Sequence, residues 1–294
     1  MRKTIFVLAV LLMFVFAGCG SQVNVNESKD SNTEVNDGEE NQDFVVEYVD
    51  QFDKLLVQIR AIADYESNSA SKQLVQNVLN KVSKVNTEFR ELEESLDKVD
   101  QKSDFEQKEK FVSVNKEFIQ LLKKIVNTYS ELYNYELDWA KYWESQEDYN
   151  LEDLAKAIYN CGCSEFDCDS YKESYLKAVS SATEIFKAMG SKYNLEVFDR
   201  LVEYLIKEKQ VSEKYLPELI DKSERYSAAR CYKLNDDYIE YWNALEQIEE
   251  VPDSDVEKAA DEKWFVPINN LLTEWDASAL QIDKLKVEMG FELI

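Results

Sequence analysis

Two adjoining stretches of the sequence, together running from about Val75 to Trp143, carry apolar residues at alternating intervals of three and four. The first has Val75, Val78, Val82, Val85, Phe89, Leu92, Leu96 and Val99; the second has Phe111, Val114, Phe118, Leu121, Ile125, Leu132, Tyr135, Trp139 and Tyr142. This spacing forms a seam along one helix face, and two such seams pack knobs into holes. The segment 99–103 between them is long enough only for an antiparallel turn. The sequence therefore predicts a long, heptad-patterned helical hairpin.

The scarcity of turn-forming residues extends this prediction to the whole chain. Only six Gly and three Pro occur among 294 residues, whereas the tight turns of a sheet protein use Gly and Pro heavily. We therefore expect an all-α fold, an elongated antiparallel bundle built on the hairpin. A preceding helix with the same rhythm would complete a three-helix bundle over residues 43–148, its start beside the turn at 100–103. Residues 149–294 would form a C-terminal helical bundle packed on the end of the third helix.

The first eighteen residues are typical of an export signal. Arg2 and Lys3 precede thirteen apolar residues, Ile5 to Ala17, a run shorter than the ~20 residues that span a bilayer. The run ends in Phe16-Ala17-Gly18-Cys19. This resembles the lipobox of bacterial lipoproteins, with Phe16 in place of the usual Leu. The resemblance implies removal of residues 1–18 and attachment of a diacylglyceryl group to Cys19. The alternative is an ordinary secretory signal with an incidental cysteine.

Residues 19–42 would then be the lipidated cysteine and a disordered acidic tether, rich in Ser, Asn, Asp and Glu. A flexible coil of this length reaches ~26 Å. We expect a protein held at the bacterial cell membrane through lipid at Cys19 and facing outside the cytoplasm.

Composition excludes several kinds of chemistry. The chain has no His, so it has no Ser-His or Cys-His catalysis and no imidazole metal site. It also lacks the Gly-rich loops that bind phosphates or dinucleotides. We expect a protein that is not an enzyme and needs no cofactor.

The net charge of the chain also limits the partners that it can bind. Without the first eighteen residues, which hold two of the 34 basic residues, the chain has 32 basic and 59 acidic residues, a net charge of −27. Such a surface repels nucleic acid, and none is expected as a partner; it could attract cations or a basic partner.

Four cysteines lie in the body: Cys161, Cys163, Cys168 and Cys231. In an exported protein they predict disulfides. A Cys161–Cys163 bond would close a strained ring, so Cys231 would pair with one of these two and Cys168 with the other. Two alternatives are a closed four-thiolate zinc or iron–sulfur site, whose spacing is not standard, and disulfide exchange at Cys161-Gly162-Cys163. We expect a disulfide-stapled C-terminal half without a metal.

The end of the hairpin's second arm is rich in aromatic residues. Tyr133, Tyr135, Trp139, Tyr142 and Trp143 form a candidate surface for a ligand or partner. The alternative is that these rings are the core where two bundles join.

Three functions are compatible with these observations. The first is a membrane-anchored lipoprotein whose non-catalytic body binds or scaffolds an unknown protein or envelope partner outside the cytoplasm. The second is a small-ligand or cation-binding lipoprotein that uses the aromatic and acidic C-terminal half. The third is a carboxylate-only hydrolase, since glycoside hydrolysis needs only two carboxylates, although no spacing among the 59 acids selects a pair.

Overall fold

The computed structural model of the protein describes residues 39–65, 72–146, 151–226 and 228–289. Nearly all of these residues are helical and none of them lies in a β-strand, so the all-α prediction is confirmed. The predicted signal, Cys19 and most of the predicted tether lie outside the described residues. The tether was expected to extend to residue 42, whereas the first helix already begins at Glu39.

The helices, in chain order, are α1 (Glu39–Ala63), α2 (Lys72–Lys102), α3 (Lys108–Ser145), α4 (Leu151–Tyr159), α5 (Cys168–Tyr193), α6 (Glu196–Arg225), α7 (Asn235–Glu246), α8 (Asp253–Ala260) and α9 (Val266–Glu288). A 3₁₀ segment, Ala228–Leu234, precedes α7, and a π-helical segment, Asp261–Phe265, precedes α9. By its internal contacts the chain divides into two compact units. Unit 1 comprises the residues up to Asn134 and those from Glu262; unit 2 comprises Tyr135–Asp261.

The core of unit 1 is the predicted hairpin of α2 and α3. All eight apolar positions of the first seam are buried: Val75, Val78, Val82, Val85, Phe89, Leu92, Leu96 and Val99. Burial of this seam explains why α2 is stable although the opposite face is strongly polar, because tertiary packing of an amphipathic face supplies most helix stability.

Helix α1 packs against this hairpin in the expected direction. The ammonium of Lys102 lies 5.3 Å from the centroid of the Phe44 ring, so the start of α1 lies beside the turn that follows α2. Further along, the Tyr48 hydroxyl donates a hydrogen bond of 2.8 Å to Oδ1 of Asn115, and the rings of Phe52 and Phe118 lie 5.6 Å apart. Helix α1 is therefore parallel to α3 and antiparallel to α2.

Helix α9 corrects the predicted domain boundaries. Trp275 packs edge-on against Phe118 of α3, with ring centroids 6.2 Å apart, and the Lys286 ammonium lies 2.8 Å from Oδ1 of Asp53. Unit 1 is thus a four-helix bundle, not a three-helix bundle over residues 43–148. The C-terminal unit likewise ends at Asp261 and does not extend over residues 149–294. An apolar rhythm in the sequence indicates that a helix buries a face, but it does not identify the face against which that helix packs.

Unit 2 contains the end of α3 and helices α4 to α8. Its main pair is α5 and α6, which meet at a tight turn. Asn194 adopts a left-handed conformation with φ of 52° there, and its N–H donates to the carbonyl of Gly190. A Cβ atom at Gly190 would lie 3.3 Å from Cβ of Phe198, so the missing side chain allows the two helices to approach closely.

Candidate functional site

The four body cysteines form two disulfides, Cys161–Cys231 and Cys163–Cys168. The predicted disulfides are confirmed, and the structure selects one of the two pairings that the sequence left open. Because each sulfur is bonded to another, none of the four is a thiolate ligand for a metal in this structure, and Cys161 and Cys163 are not bonded to each other. The inner pair is buried, whereas Cys161 and Cys231 remain partly exposed.

Of the five aromatic residues predicted as a binding surface, two are buried, two are half-buried and one is exposed. In unit 1, Tyr133 is 2% exposed and its hydroxyl donates to the carbonyl of Ile62 at 2.6 Å. In unit 2, Tyr135 is buried, and Trp139 and Tyr142 pack against Phe186 with centroid distances of 5.3 and 4.7 Å.

Trp143 differs from the other four rings of that cluster, because 52% of its side chain is exposed. Tyr133 and Tyr135 are thus core residues. Trp139, Tyr142 and Trp143 instead form a contacting, partly exposed group, in which the Trp143 ring lies 6.4 Å from that of Trp139 and 4.9 Å from that of Tyr142.

Asp138 lies on α3 among these rings and was not singled out from the sequence. Its carboxylate accepts hydrogen bonds from Lys141 at 2.6 Å, from Lys192 at 2.8 Å and from the Tyr193 hydroxyl at 2.7 Å. Burial acts to raise the pKa of Asp138, but these three bonds and the charge of Lys192 outweigh it, and the pKa lies below its usual value. A charged carboxylate with three donors ties α3 to the end of α5, so its role is structural.

A second partly exposed aromatic group of unit 2 lies on α4 and α7. Tyr159 packs edge-on against Tyr238 with ring centroids 5.6 Å apart, and Tyr238 packs against Trp242 at 6.0 Å. Tyr159 is 54% exposed and Trp242 is 37% exposed. We call Tyr159, Tyr238 and Trp242 the aromatic row. Ile239, which is 48% exposed, follows Tyr238 on the same helix.

The Cys161–Cys231 bond, which we call the outer disulfide, contributes to holding the aromatic row together. Tyr159 is the last residue of α4, two positions before Cys161, and Cys231 lies in the 3₁₀ segment that leads into α7. The Cys161–Cys231 bond brings these two places within a Cα–Cα distance of 5.7 Å. Tyr159 is therefore fixed near Tyr238 by a covalent link close to both rings.

A buried polar network fixes the other side of α7. Tyr241, the neighbour of Trp242, is 3% exposed, and its hydroxyl lies 3.2 Å from Oγ of Ser212. The same Oγ lies 3.3 Å from the hydroxyl of Tyr175, which donates to Glu208. Burial raises the pKa of Tyr241 to about 12, so the phenol stays protonated at neutral pH. The network anchors α7 to α5 and α6, while Trp242, next to Tyr241, remains exposed.

Glu208 is the one carboxylate of this network whose protonation is perturbed. Burial raises the pKa of Glu208, although hydrogen bonds from Tyr175 and Tyr204 act to lower it. Its contacts are phenol hydroxyls whose own ionisation burial disfavours, as for Tyr175. This arrangement stabilises a helix interface, whereas glycoside hydrolysis requires a second carboxylate across the scissile bond.

A shallow cleft of about 580 Å³ lies between α6 and the residues around the end of α7. Its polar lining consists of Lys207, Gln210, Lys214, Tyr215, Gln247 and Glu249. Lys207 is paired with Glu203 at 2.7 Å, and Lys214 donates to the Tyr215 hydroxyl at 3.0 Å. The cleft is polar and open, in contrast to the aromatic row.

The sequence analysis did not single out the row. The available signal was helical spacing: residues 238 and 242 lie four apart on one face, whereas the adjacent residues 241 and 242 point about 100° apart on a helix of 3.6 residues per turn. Burial of Tyr241 is thus compatible with an exposed Trp242.

Comparisons with protein-family models, with curated proteins and with solved structures found no match to this chain. Within the described ranges, no cluster of three or more Cys, Asp or Glu side chains has an arrangement suited to a metal ion. No helix in those same ranges is both long and apolar enough to cross a membrane.

Proposed function

We propose that this chain is a membrane-anchored lipoprotein whose non-catalytic helical body binds a partner outside the cytoplasm through the aromatic row. The observation that carries the proposal is a row of three contacting rings, in which Tyr159 and Trp242 are exposed and Tyr238 is half-buried between them, on a well-anchored support. Tyr and Trp are enriched among the residues that dominate binding energy, since they bury a large area at little cost in conformational entropy.

The location of the row outside the cytoplasm is supported by two independent features. The sequence Ala17-Gly18-Cys19 resembles a lipobox and precedes a polar stretch that would serve as a tether. The two disulfides of unit 2 are of the kind that forms and persists in oxidising compartments. The outer disulfide also holds part of the row, which links the compartment to the proposed binding surface.

The polar cleft beside α7 favours a second candidate, a lipoprotein that binds a small ligand. Its volume of about 580 Å³ lies within the usual range for ligand sites. Its lining combines the apolar Val211, Ala244 and Ile248 with charged and amide side chains, and its open shape would leave much of a bound ligand in water. The row therefore gives the better-supported binding surface.

The anchor is tested by mass spectrometry of protein extracted from membranes. We expect a mature N-terminus at Cys19 that carries a diacylglyceryl group, and we expect Cys19→Ala to prevent processing. A soluble product that is cut at another position would contradict the lipoprotein proposal.

The binding surface is tested by a photo-activated cross-linking residue placed at position 239, beside the row, in growing cells. The matched control has the same residue at position 143, which is also exposed and also in unit 2. We expect one discrete cross-linked product from position 239 that is lost when Trp242→Ala is added. Equal products from both positions, or products insensitive to Trp242→Ala, would refute the assignment of the row.

A further inference from the structure

Two of the three rings of the aromatic row lie on α7, in the longest stretch of unit 2 without a basic residue; Lys156 on α4 and Lys233 before α7 are the basic residues that flank the row along the chain. Helix α7 has four acidic residues and no Lys or Arg, and the chain from Asn235 to Glu257 has nine acidic residues and still no basic one. A run of one sign adds up to a negative potential over the surface that contains it. Any partner that docks on the row must therefore tolerate or exploit negative charge.

Part of that charge is neutralised within the protein and part is not. Lys222 lies 2.9 Å from Asp237, so this carboxylate already has a cationic partner. Glu240 accepts a hydrogen bond of 3.0 Å from the Tyr215 hydroxyl, which itself accepts one of 3.0 Å from the Lys214 ammonium, so a cation lies close to this carboxylate as well. Glu246 is exposed and lies one helical turn beyond Trp242. Along one face of α7 the order is thus Tyr238, Trp242 and Glu246, two rings followed by a carboxylate.

Exposed rings next to carboxylates select a cation. The face of an aromatic ring attracts a positive group within about 6 Å of its centroid, and Trp does so most strongly. A guanidinium is planar and weakly hydrated, so it can stack on a ring while it donates hydrogen bonds to a neighbouring carboxylate. The strongly hydrated ammonium of Lys offers the charge without this combination.

We propose that the aromatic row docks a basic segment of a partner protein, with an arginine side chain stacked against Trp242 and within reach of Glu246. This inference rests on the proposed function, because it names the chemistry of the partner that the row would bind. Charge complementarity decides between occupants: a neutral partner gains nothing from the acidic residues around the row, and an acidic partner is repelled by them.

The test uses the full-length protein in a non-ionic detergent and two fluorescently labelled peptides of equal charge. One peptide alternates Arg with Ser and the other alternates Lys with Ser, and binding is followed by fluorescence anisotropy at ~0.15 M salt. We expect the Arg peptide to bind more tightly than the Lys peptide. Trp242→Ala should weaken binding of the Arg peptide by about 3- to 30-fold, as expected for one cation–π contact.

The matched controls separate the row from general attraction to an acidic protein. Trp143→Ala also removes an exposed Trp of unit 2 without a change of charge, and it should leave binding as in wild type. Glu246→Gln should weaken binding more than Glu94→Gln, which removes one charge from an exposed position on α2. The Glu246→Gln variant leaves every ring in place, so it still tests the inference if Trp242→Ala perturbs folding.

Three results would overturn the inference. If Trp242→Ala and Trp143→Ala both bind the Arg peptide as wild type does, the attraction comes from net charge alone. If a neutral soluble oligosaccharide binds saturably and requires Trp242 while the Arg peptide does not, the partner class is wrong but the row remains a binding surface. If neither probe depends on the row and position 239 gives no specific cross-link, the proposed function fails together with this inference.

Discussion

Removal of the outer disulfide by Cys161→Ala/Cys231→Ala should destabilise unit 2 by about 4 kcal/mol. The bond closes a loop of 70 residues. In the loop-closure description, restricting the unfolded chain by a loop of that size contributes about 4.4 kcal/mol at 25 °C. The same relation gives only about 2 kcal/mol for the five-residue separation of Cys163 and Cys168. The long bond is thus the larger covalent contribution to the stability of unit 2.

The assay is urea unfolding of the oxidised full-length protein, read peptide by peptide through pulsed hydrogen exchange and mass spectrometry. Peptides from α5, α6 and α7 should lose protection at lower urea in the double variant, by an amount equivalent to about 4 kcal/mol. Peptides from α1 and α2 should be unchanged, because unit 1 has no cysteine among its described residues. A decrease of less than ~1 kcal/mol in the free energy of unfolding of unit 2 would refute the loop-closure reasoning. An equal decrease in both units would refute the expectation that the bond stabilises unit 2 alone.

Two further substitutions test buried polar contacts in the two units. Tyr48→Phe leaves Oδ1 of the buried Asn115 without its donor, so it should lower the free energy of unfolding of unit 1 by about 1–3 kcal/mol in urea titration; unchanged stability would contradict the assigned bond. Asp138→Asn should destabilise unit 2 at pH ~6. Because the pKa of Asp138 is lowered on folding, its contribution is present above the unfolded-state pKa and is lost as the pH falls below that value. The deficit of the variant should therefore shrink between pH ~6 and pH ~3, and a deficit that grows on acidification would show that the pKa is raised instead.

Much of unit 1 could be predicted from sequence because periodic apolar positions fix both a helix and the face it buries. The α2 seam from Val75 to Val99 is buried throughout, and the direction of α1 follows from its short connection to α2. The return of α9 to unit 1 could not be predicted in this way. The contacts of Trp275 with Phe118 and of Lys286 with Asp53 join residues far apart in the chain. The spacing of apolar residues shows which face of a helix is buried, but not which other helix it packs against.

The candidate site was less predictable than the fold, for a physical reason. An aromatic residue is favourable both in a core and on a binding surface, and sequence does not state how many partner rings are available. Phe186 and Phe198 supply those rings to Trp139, which is half-buried, whereas Trp143 stays 52% exposed. On α7, Tyr241 is buried and its neighbour Trp242 is exposed.

The central claim, that the aromatic row is the binding surface, is tested most directly by the indole N–H signals of ¹⁵N-tryptophan-labelled protein. The chain has five tryptophans, so a single spectrum contains the candidate and four internal controls. On titration with the Arg peptide we expect a saturable shift of the Trp242 signal. Trp143, although more exposed at 52%, should move little, and the buried Trp264 and Trp275 should stay unchanged. A shift of Trp143 equal to that of Trp242, or a saturated spectrum in which Trp242 has not moved, would contradict the account.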